Sequence, residues 1–165
     1  MARVYVSIGS NIDKEKNISS SVKALQDHFG DLDISNVYET KAVGFDGDNF
    51  HNLVVGFDTD ESPLEISKVL KKIEADHDRT RGKEKFESRT LDLDQLLYGD
   101  LVMQMDGVNL PHPDIMRYNF VLKPLTELAG GLEHPEEEKT TNQLWGMYEE
   151  KEKMEVVEYD FLNDQ

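Results

Sequence analysis

Asp92 and Asp94 stand two residues apart in the segment Leu91-Asp92-Leu93-Asp94, where acidic and apolar residues alternate. In a β-strand this alternation places both carboxylates on one face of the sheet and both leucines on the other. Two adjacent carboxylates repel each other, and a divalent cation is the commonest reason for a protein to keep such a pair. The pattern is therefore a candidate metal site, although these four residues alone favour an ordinary polar strand face in contact with water.

A cluster of cations precedes this segment. Arg79, Arg81, Lys83, Lys85 and Arg89 fall within eleven positions and make up five of the 18 lysines and arginines of the chain. Arginine side chains suit phosphate oxygens, so a metal held nearby on the two aspartates would complete a phosphate-binding site. The alternative is a surface loop whose cations pair with neighbouring acidic residues, and the charge pattern supports the two hypotheses about equally.

His112 lies between Pro111 and Pro113, whose rings restrict the backbone on both sides of the imidazole. This setting makes His112 a candidate for chemistry, but a lone histidine is more often an ordinary polar residue. The other four histidines have no comparable setting and are assigned no role: His28, His51, His77 and His134.

The elements that must position these residues follow from hydrophobic periodicity. The pattern predicts, in order, a strand over 4–8, a helix over 18–29, an extended segment over 32–40, a strand over 50–57, a helix that begins at Ser62 and Pro63, and a strand over 89–98. The order β-α-β-β-α-β is that of the ferredoxin-like unit, in which an antiparallel sheet carries both helices on one face. The predicted fold class is therefore α+β.

A C-terminal extension follows this core. It is expected to hold a short extended pair around Val102 and Val108, a short helix after Pro113, and then a helix and a strand. Two polar connections within the core, over 41–49 and 76–87, are candidates for loops that close over substrates.

Length and charge limit the possible functions. The 165 residues predict one domain over 1–165, and a net charge of −16 argues against nucleic-acid and anionic-membrane partners. The chain has no cysteine, no signal-peptide pattern and no apolar run long enough to cross a bilayer, which favours a cytoplasmic location. It also shows no heptad pattern, so a monomer is expected.

The segment from Ser88 to Asp94, Ser-Arg-Thr-Leu-Asp-Leu-Asp, resembles the signature G-P-R-T-x-D-x-D of the 6-hydroxymethyl-7,8-dihydropterin pyrophosphokinase family, with Glu87 and Ser88 in the first two places. Shorter matches follow the family in order between Val4 and Glu133: Ile8-Gly9-Ser10-Asn11, Tyr38-Glu39-Thr40, Phe50-His51-Asn52, Pro111-His112-Pro113 and Phe120-Val121-Leu122-Lys123-Pro124-Leu125. The resemblance implies the ferredoxin-like fold predicted above. It also implies transfer of pyrophosphate from ATP, as co-substrate, to a reduced pterin alcohol in folate biosynthesis.

The resemblance assigns the residues on the nucleotide side as follows. Asp92 and Asp94 would bind two magnesium ions that bridge the ATP phosphates, Arg79, Arg81 and Arg89 would contact phosphates, and Glu74 and His112 would lie at the nucleotide. Of these, Arg79, Arg89, Asp92, Asp94 and His112 are the implied catalytic residues. The family usually carries an arginine six residues after the histidine, where this chain has Tyr118. Arg117 stands one position earlier, a rotation of roughly 100° on a helix, and is assigned here as a shifted nucleotide contact.

The implied pterin pocket uses an amide that recognises the polar edge of the ring and aromatic residues that stack on its faces. By resemblance Asn52 is the amide and Phe120 one aromatic residue, with Thr40, Val43 and Phe50 at further pocket positions and Phe86 in place of the usual tryptophan. For Phe50 or Phe120 taken alone, packing in the hydrophobic core is the simpler explanation.

Two other functions are compatible with this sequence. A non-catalytic or altered-substrate paralogue of the same fold would bind pterin and nucleotide without forming AMP. A simple metal-binding acidic domain would bind a divalent cation without ATP, and the loop arginines argue against it.

Overall fold

A computed structural model describes residues 1–41, 49–78, 91–148 and 153–163. Its main sheet is formed by β1 (Ala2–Ser10), β2 (Asp33–Ile34), β3 (Val37–Thr40), β4 (Phe50–Thr59), β5 (Asp92–Tyr98) and β8 (Glu155–Val157). This sheet is antiparallel, with the strand order β5-β1-β4-β3-β8 and a short β2 that also pairs with β4. The first four positions of this order are those of the predicted ferredoxin-like unit, with β8 added at the far edge.

The first face of the sheet is covered by α1 (Lys14–Phe29) and α2 (Pro63–Asp78). Alternate residues of β1, among them Val4, Val6 and Ile8, are fully buried against the apolar stripes of these helices. The N-terminus of α2 is the predicted capping box: the Ser62 backbone N–H donates to Glu65 Oε1 at 2.8 Å, and the Glu65 N–H donates to Ser62 Oγ at 3.2 Å. Both predicted helices on this face are confirmed.

The second face, called the α4 face below, is also buried. It packs against α3 (Asp114–Arg117), α4 (Asn119–Ala129) and α5 (Thr141–Met147), which belong to the C-terminal extension. The remaining elements are a hairpin of β6 (Met103–Met105) and β7 (Val108–Leu110), and the short α6 (Asp160–Asn163). Within the described part of the chain, no helix is long and apolar enough to cross a membrane.

A β-bulge between β1 and the edge strand β5 supplies side chains to both cores. The register between β1 and β5 shifts between Tyr5 and Val6, so that Leu96 has no direct partner on β1. Leu96 and Leu97 are both buried in the second core. Tyr98 is thereby returned to the first face, where its hydroxyl donates to the Glu61 carbonyl at 2.9 Å.

Several predicted boundaries need correction. The strand predicted over 89–98 begins at Asp92, and residues 79–90 lie outside the described residues. The extended segment over 32–40 divides into β2 and β3 at Ser35 and Asn36, where the Ser35 N–H still donates to the Val54 carbonyl of β4 at 3.0 Å but the Ser35 hydroxyl, in place of a backbone carbonyl, accepts the Val54 N–H at 2.9 Å. The predicted loops over 41–49 and 76–87 are described only at 41, 49 and 76–78, and the last three residues continue α2. The hairpin around Val102 and Val108, the short helix after Pro113, and the C-terminal helix and strand are confirmed as β6–β7, α3, α5 and β8.

Candidate active site

One row of cross-strand partners joins the two halves of the candidate site. Asp92 on β5 lies opposite Gly9 on β1, Gly9 opposite Asn52 on β4, and Asn52 opposite Tyr38 on β3. Residues opposite each other in a sheet share a face, so Asp92 and Asn52 both lie on the α4 face. Gly9 makes the row possible because a Cβ atom at this position would lie 2.8 Å from Asn52 Oδ1.

The predicted pterin-side residues of β3 and β4 share this face. Asn52 Nδ2 donates to Thr40 Oγ1 at 3.1 Å, and both side chains are buried. Phe50 is the register partner of Thr40, so it also lies on the α4 face. Phe120 belongs to α4, which packs against β3 and β4, and its ring stacks on Tyr118 with centroids 4.9 Å apart. The register therefore brings Thr40, Phe50 and Asn52 together beneath the helix that carries Phe120.

The predicted metal ligands lie at the other end of the same row. Asp94 pairs with Ser7 and therefore points to the same face as Asp92, while Leu93 is buried in the first core. This confirms the alternation predicted from the sequence. Asp94 Oδ1 lies 3.8 Å from His112 Nε2, and His112 Nδ1 lies 3.8 Å from Asp114 Oδ2.

Asp114 is a residue of this cluster that the sequence reasoning missed. Ligand atoms of Asp94, His112 and Asp114 all lie within 4.8 Å of one another, a spacing that suits a bound metal ion. The available signal was its position two residues after His112 in the segment Pro-His-Pro-Asp, which places it at the start of α3.

Burial changes the protonation of Asp94, one of the two carboxylates on β5. Removal from water, and then the charges of Asp92, Asp114 and Glu74, raise the pKa of Asp94 to about 8 from an ordinary 3.8. In the folded protein without a cation, ionising Asp94 beside the other three carboxylates at neutral pH therefore costs free energy. Oxygen donors in such surroundings suit a hard divalent cation such as Mg²⁺, whose charge would remove the repulsion.

Hydrogen bonding fixes the orientation of His112. The Asp114 backbone N–H donates to His112 Nδ1 at 3.1 Å, and burial lowers the pKa of the imidazole, which favours its neutral form. A neutral ring that accepts at Nδ1 carries its proton on Nε2. The Nε2–H therefore faces the side where Asp94 lies, and His112 presents a donor to that space.

A cavity of about 200 Å³ adjoins these residues at the outer edge of β5. Its lining includes Lys71, Glu74, Asp94, Asn109 and His112. Glu74 Oε2 accepts the backbone N–H of Leu93 at 2.7 Å, so this carboxylate is fixed against the strand edge.

Arg117 stands beside the cluster. Its side chain is 64% exposed, and its Nη1 atom lies 3.8 Å from Asp114 Oδ1, so α3 holds the guanidinium next to the carboxylates. The other predicted contacts fall outside the described residues: Arg79, Arg81, Arg89, Val43 and Phe86.

Known proteins are similar to this chain in sequence and in fold. The model of the family described as "7,8-dihydro-6-hydroxymethylpterin-pyrophosphokinase (HPPK)" matches residues 5–130. The 2-amino-4-hydroxy-6-hydroxymethyldihydropteridine pyrophosphokinase of Aquifex aeolicus is 36% identical over 139 residues, which cover 82% of this chain and 85% of that protein. The protein of the same name from Haemophilus influenzae is 33% identical over 141 residues, with coverages of 82% and 86%.

Solved structures give the same architecture. A crystal structure of Plasmodium falciparum HPPK-DHPS aligns with a TM-score of 0.73 over 89% of this chain, at 13% identity. The aligned part is 43% of that longer chain. At this identity the similarity establishes the fold alone.

Proposed function

Since this chain belongs to the 7,8-dihydro-6-hydroxymethylpterin-pyrophosphokinase family, we propose that it transfers pyrophosphate from ATP to 6-hydroxymethyl-7,8-dihydropterin. The products of this ATP-dependent diphosphotransferase are AMP and the pterin diphosphate, and the reaction belongs to folate synthesis. We further propose that residues 1–165 act as one pyrophosphokinase domain. Its cytoplasmic location and its monomeric state stay predictions.

The observation that carries the assignment to this face is the cross-strand row from Asp92 to Asn52. A carboxylate cluster suited to metal-bound phosphates and a buried amide suited to a heterocycle occupy the same sheet face, separated by a glycine. A transfer enzyme needs two substrates side by side, because holding the reacting groups together supplies much of the rate. Neither a metal-binding domain nor a protein that binds only nucleotide needs both halves.

On the pterin side, Asn52 is the selective contact. Its donation to Thr40 fixes the amide plane and directs Oδ1 toward the Gly9 side. An oriented amide can pair with the polar edge of a pterin ring, while Phe50 and Phe120 supply apolar surface for its faces. By family resemblance, Val43 and Phe86 complete this pocket.

On the nucleotide side, Asp92 and Asp94 would hold two magnesium ions, with Asp114 beside them. Magnesium held there would supply positive charge to neutralise the charge that develops on the phosphate oxygens. The raised pKa of Asp94 supports this fit, because the carboxylates are placed closer than they tolerate alone.

Neighbouring side chains would hold the phosphates in place. His112 presents its Nε2–H to a phosphate oxygen, and Arg117 contributes a positive charge from α3. Glu74 borders the cavity that receives the nucleotide. By family resemblance, Arg79, Arg81 and Arg89 supply the remaining phosphate contacts.

The proposed reaction is an in-line displacement at the β-phosphorus of ATP. The hydroxymethyl oxygen of the pterin forms the new bond to this phosphorus and its hydroxyl proton is released to solvent, while the bond to the oxygen that bridges to the α-phosphate breaks. AMP leaves with that bridging oxygen. Positioning and charge neutralisation account for most of the catalysis of such a transfer.

The test is AMP formation from ATP and magnesium, with and without 6-hydroxymethyl-7,8-dihydropterin. We expect pterin-dependent AMP from the wild type and from Asp31→Asn, a control at an exposed carboxylate, but a loss of at least about a hundredfold in Asp94→Asn. If both substrates bind and no AMP forms, the chain is a binding paralogue. Unchanged turnover in Asp94→Asn would exclude the metal assignment.

A further inference from the structure

A hydrogen-bonded chain of three side chains lies on the first face of the sheet, opposite the candidate site. The Tyr159 hydroxyl and His51 Nδ1 are 2.7 Å apart, and His51 Nε2 and Glu39 Oε1 are 3.0 Å apart. His51 and Tyr159 are 5% and 6% exposed. No role was predicted for His51 from the sequence.

The direction of these hydrogen bonds follows from their chemistry. An ionised carboxylate only accepts, so His51 Nε2 donates to Glu39, and Nδ1 of the neutral ring accepts the Tyr159 O–H. Burial lowers the pKa of His51 and raises that of Tyr159, which keeps the imidazole neutral and the phenol protonated. All three groups therefore have partners in one arrangement.

The two hydrogen-bonded residues that lie on strands, His51 and Glu39, are each next in sequence to a residue of the proposed pterin pocket. His51 lies between Phe50 and Asn52, and Glu39 immediately precedes Thr40. Because alternate residues of a strand point to opposite faces, His51 and Glu39 lie directly behind the side chains of the pterin side. The His51–Glu39 hydrogen bond links β4 to β3 on one face, as the Asn52–Thr40 hydrogen bond does on the other.

Tyr159 comes from a different part of the chain. Residues 155–157 form β8, which pairs with the outer edge of β3 through Val37–Val157 and Glu39–Glu155. Tyr159 then turns into the first core. This C-terminal segment, residues 153–163, lies outside the residues 5–130 that the family model matches.

We infer that the C-terminal segment positions the pterin-binding strands through Tyr159, and that Tyr159, His51 and Glu39 are positioning residues for the pterin substrate. This inference rests on the proposed function for the identity of the ligand. The segment holds β3 by strand pairing and β4 by the hydrogen bond to His51. It therefore fixes the spacing of Thr40 and Asn52 without touching the substrate.

The first test uses Tyr159→Phe, which removes one hydroxyl and keeps the ring. We expect KM for the pterin to rise about 3- to 10-fold, the effect of losing one net hydrogen bond, while KM for ATP and kcat stay within about twofold. Tyr98→Phe is the matched control, since it removes a similar tyrosine hydrogen bond at a position remote from the pterin side. Equal KM values for the pterin in the two variants would overturn the inference.

A second pair of variants separates positioning from general stability. Glu39→Gln keeps an acceptor for His51 Nε2, so KM for the pterin should stay near the wild-type value, whereas Glu39→Ala should behave like Tyr159→Phe. If both Glu39 variants match the wild type, the hydrogen-bonded chain does not position the pocket.

Hydrogen exchange tests the same inference without turnover. Peptides over 37–41 and 49–54 should exchange faster in Tyr159→Phe than in Tyr98→Phe, while peptides of β5 should exchange in Tyr159→Phe as they do in the wild type. Unchanged exchange of the β3 and β4 peptides would refute the positioning role even if the wild type makes no AMP. Absence of pterin-dependent AMP in the wild type alone would instead refute the proposed function.

Discussion

Replacing Asp94 by Asn should stabilise the protein without divalent cations while abolishing pterin-dependent AMP formation. The amide has nearly the same shape as the carboxyl group but carries no charge at any pH. The pKa of Asp94 is raised to about 8 by burial and by the charges of Asp92, Asp114 and Glu74. The substitution therefore removes a group whose ionisation opposes folding.

The sign and the size follow from linkage. An acid whose pKa is higher in the folded state binds its proton more tightly there, so the free energy of unfolding falls as the pH rises from about 4 to about 8. Between the ordinary pKa of 3.8 and pH 7, at about 1.36 kcal/mol per pH unit, the upper bound is about 4 kcal/mol. The Asp94 side chain is 34% exposed, and screening by water reduces the expected gain to about 1–2 kcal/mol.

The assay is urea unfolding of wild type, Asp94→Asn and the control Asp31→Asn in EDTA, at pH values from 4 to 8. Across this range the free energy of unfolding of Asp94→Asn should rise relative to that of the wild type, while the control should follow the wild type. In thermal unfolding at pH 7, also in EDTA, the Tm of Asp94→Asn should be higher than that of the wild type by about 2–8 °C. Magnesium should stabilise the wild type more than Asp94→Asn. If the free energy of unfolding depends on pH in the same way for wild type and Asp94→Asn in EDTA, ionisation of Asp94 does not oppose folding and the reasoning is refuted.

Three further substitutions test separate parts of the structure. Gly9→Ala should displace the Asn52 side chain, because the added Cβ would lie 2.8 Å from Oδ1, so pterin affinity should fall about tenfold in calorimetry while ATP affinity is kept. Ser62→Ala should lower the free energy of unfolding by about 1 kcal/mol in urea titrations without changing kcat, since it removes the capping box of α2. Leu122→Ala should cost about 2–5 kcal/mol in the same titrations, because this side chain is fully buried between α4 and the sheet; a smaller loss would contradict the packing of that helix.

The sequence predicted the core elements because each carries a local signal. β1 and β5 alternate, the two helices of the first face have apolar stripes, and α2 has its complete capping box at Ser62 and Glu65. The shared face of Asp92 and Asp94 also follows from two-residue alternation alone. Such features depend on near neighbours in the chain, which a sequence displays directly.

The missed features depend on distant partners. The sequence pattern did not predict α4 because Pro124 lies inside it, and the helix is stabilised by packing of Leu122 and Leu125 on the sheet. The two-residue β2 is too short for any periodicity. Asp114 joins the carboxylates of β5 only because α3 folds beside that strand. The row from Asp92 to Asn52 requires two strand registers, β5 with β1 and β1 with β4, and neither is local.

The charge of the site explains why the basic segment at 79–89 and the acidic strand belong together. Asp92, Asp94, Asp114 and Glu74 surround the place proposed for the phosphates of ATP, and the charges of the other three raise the pKa of Asp94. A polyphosphate cannot approach four such groups without cations, because like charges at short range in a partly buried site repel strongly. On the proposed function, divalent ions and the basic segment are therefore complementary requirements: the carboxylates would hold the ions, and the arginines would offset the phosphate charge that remains.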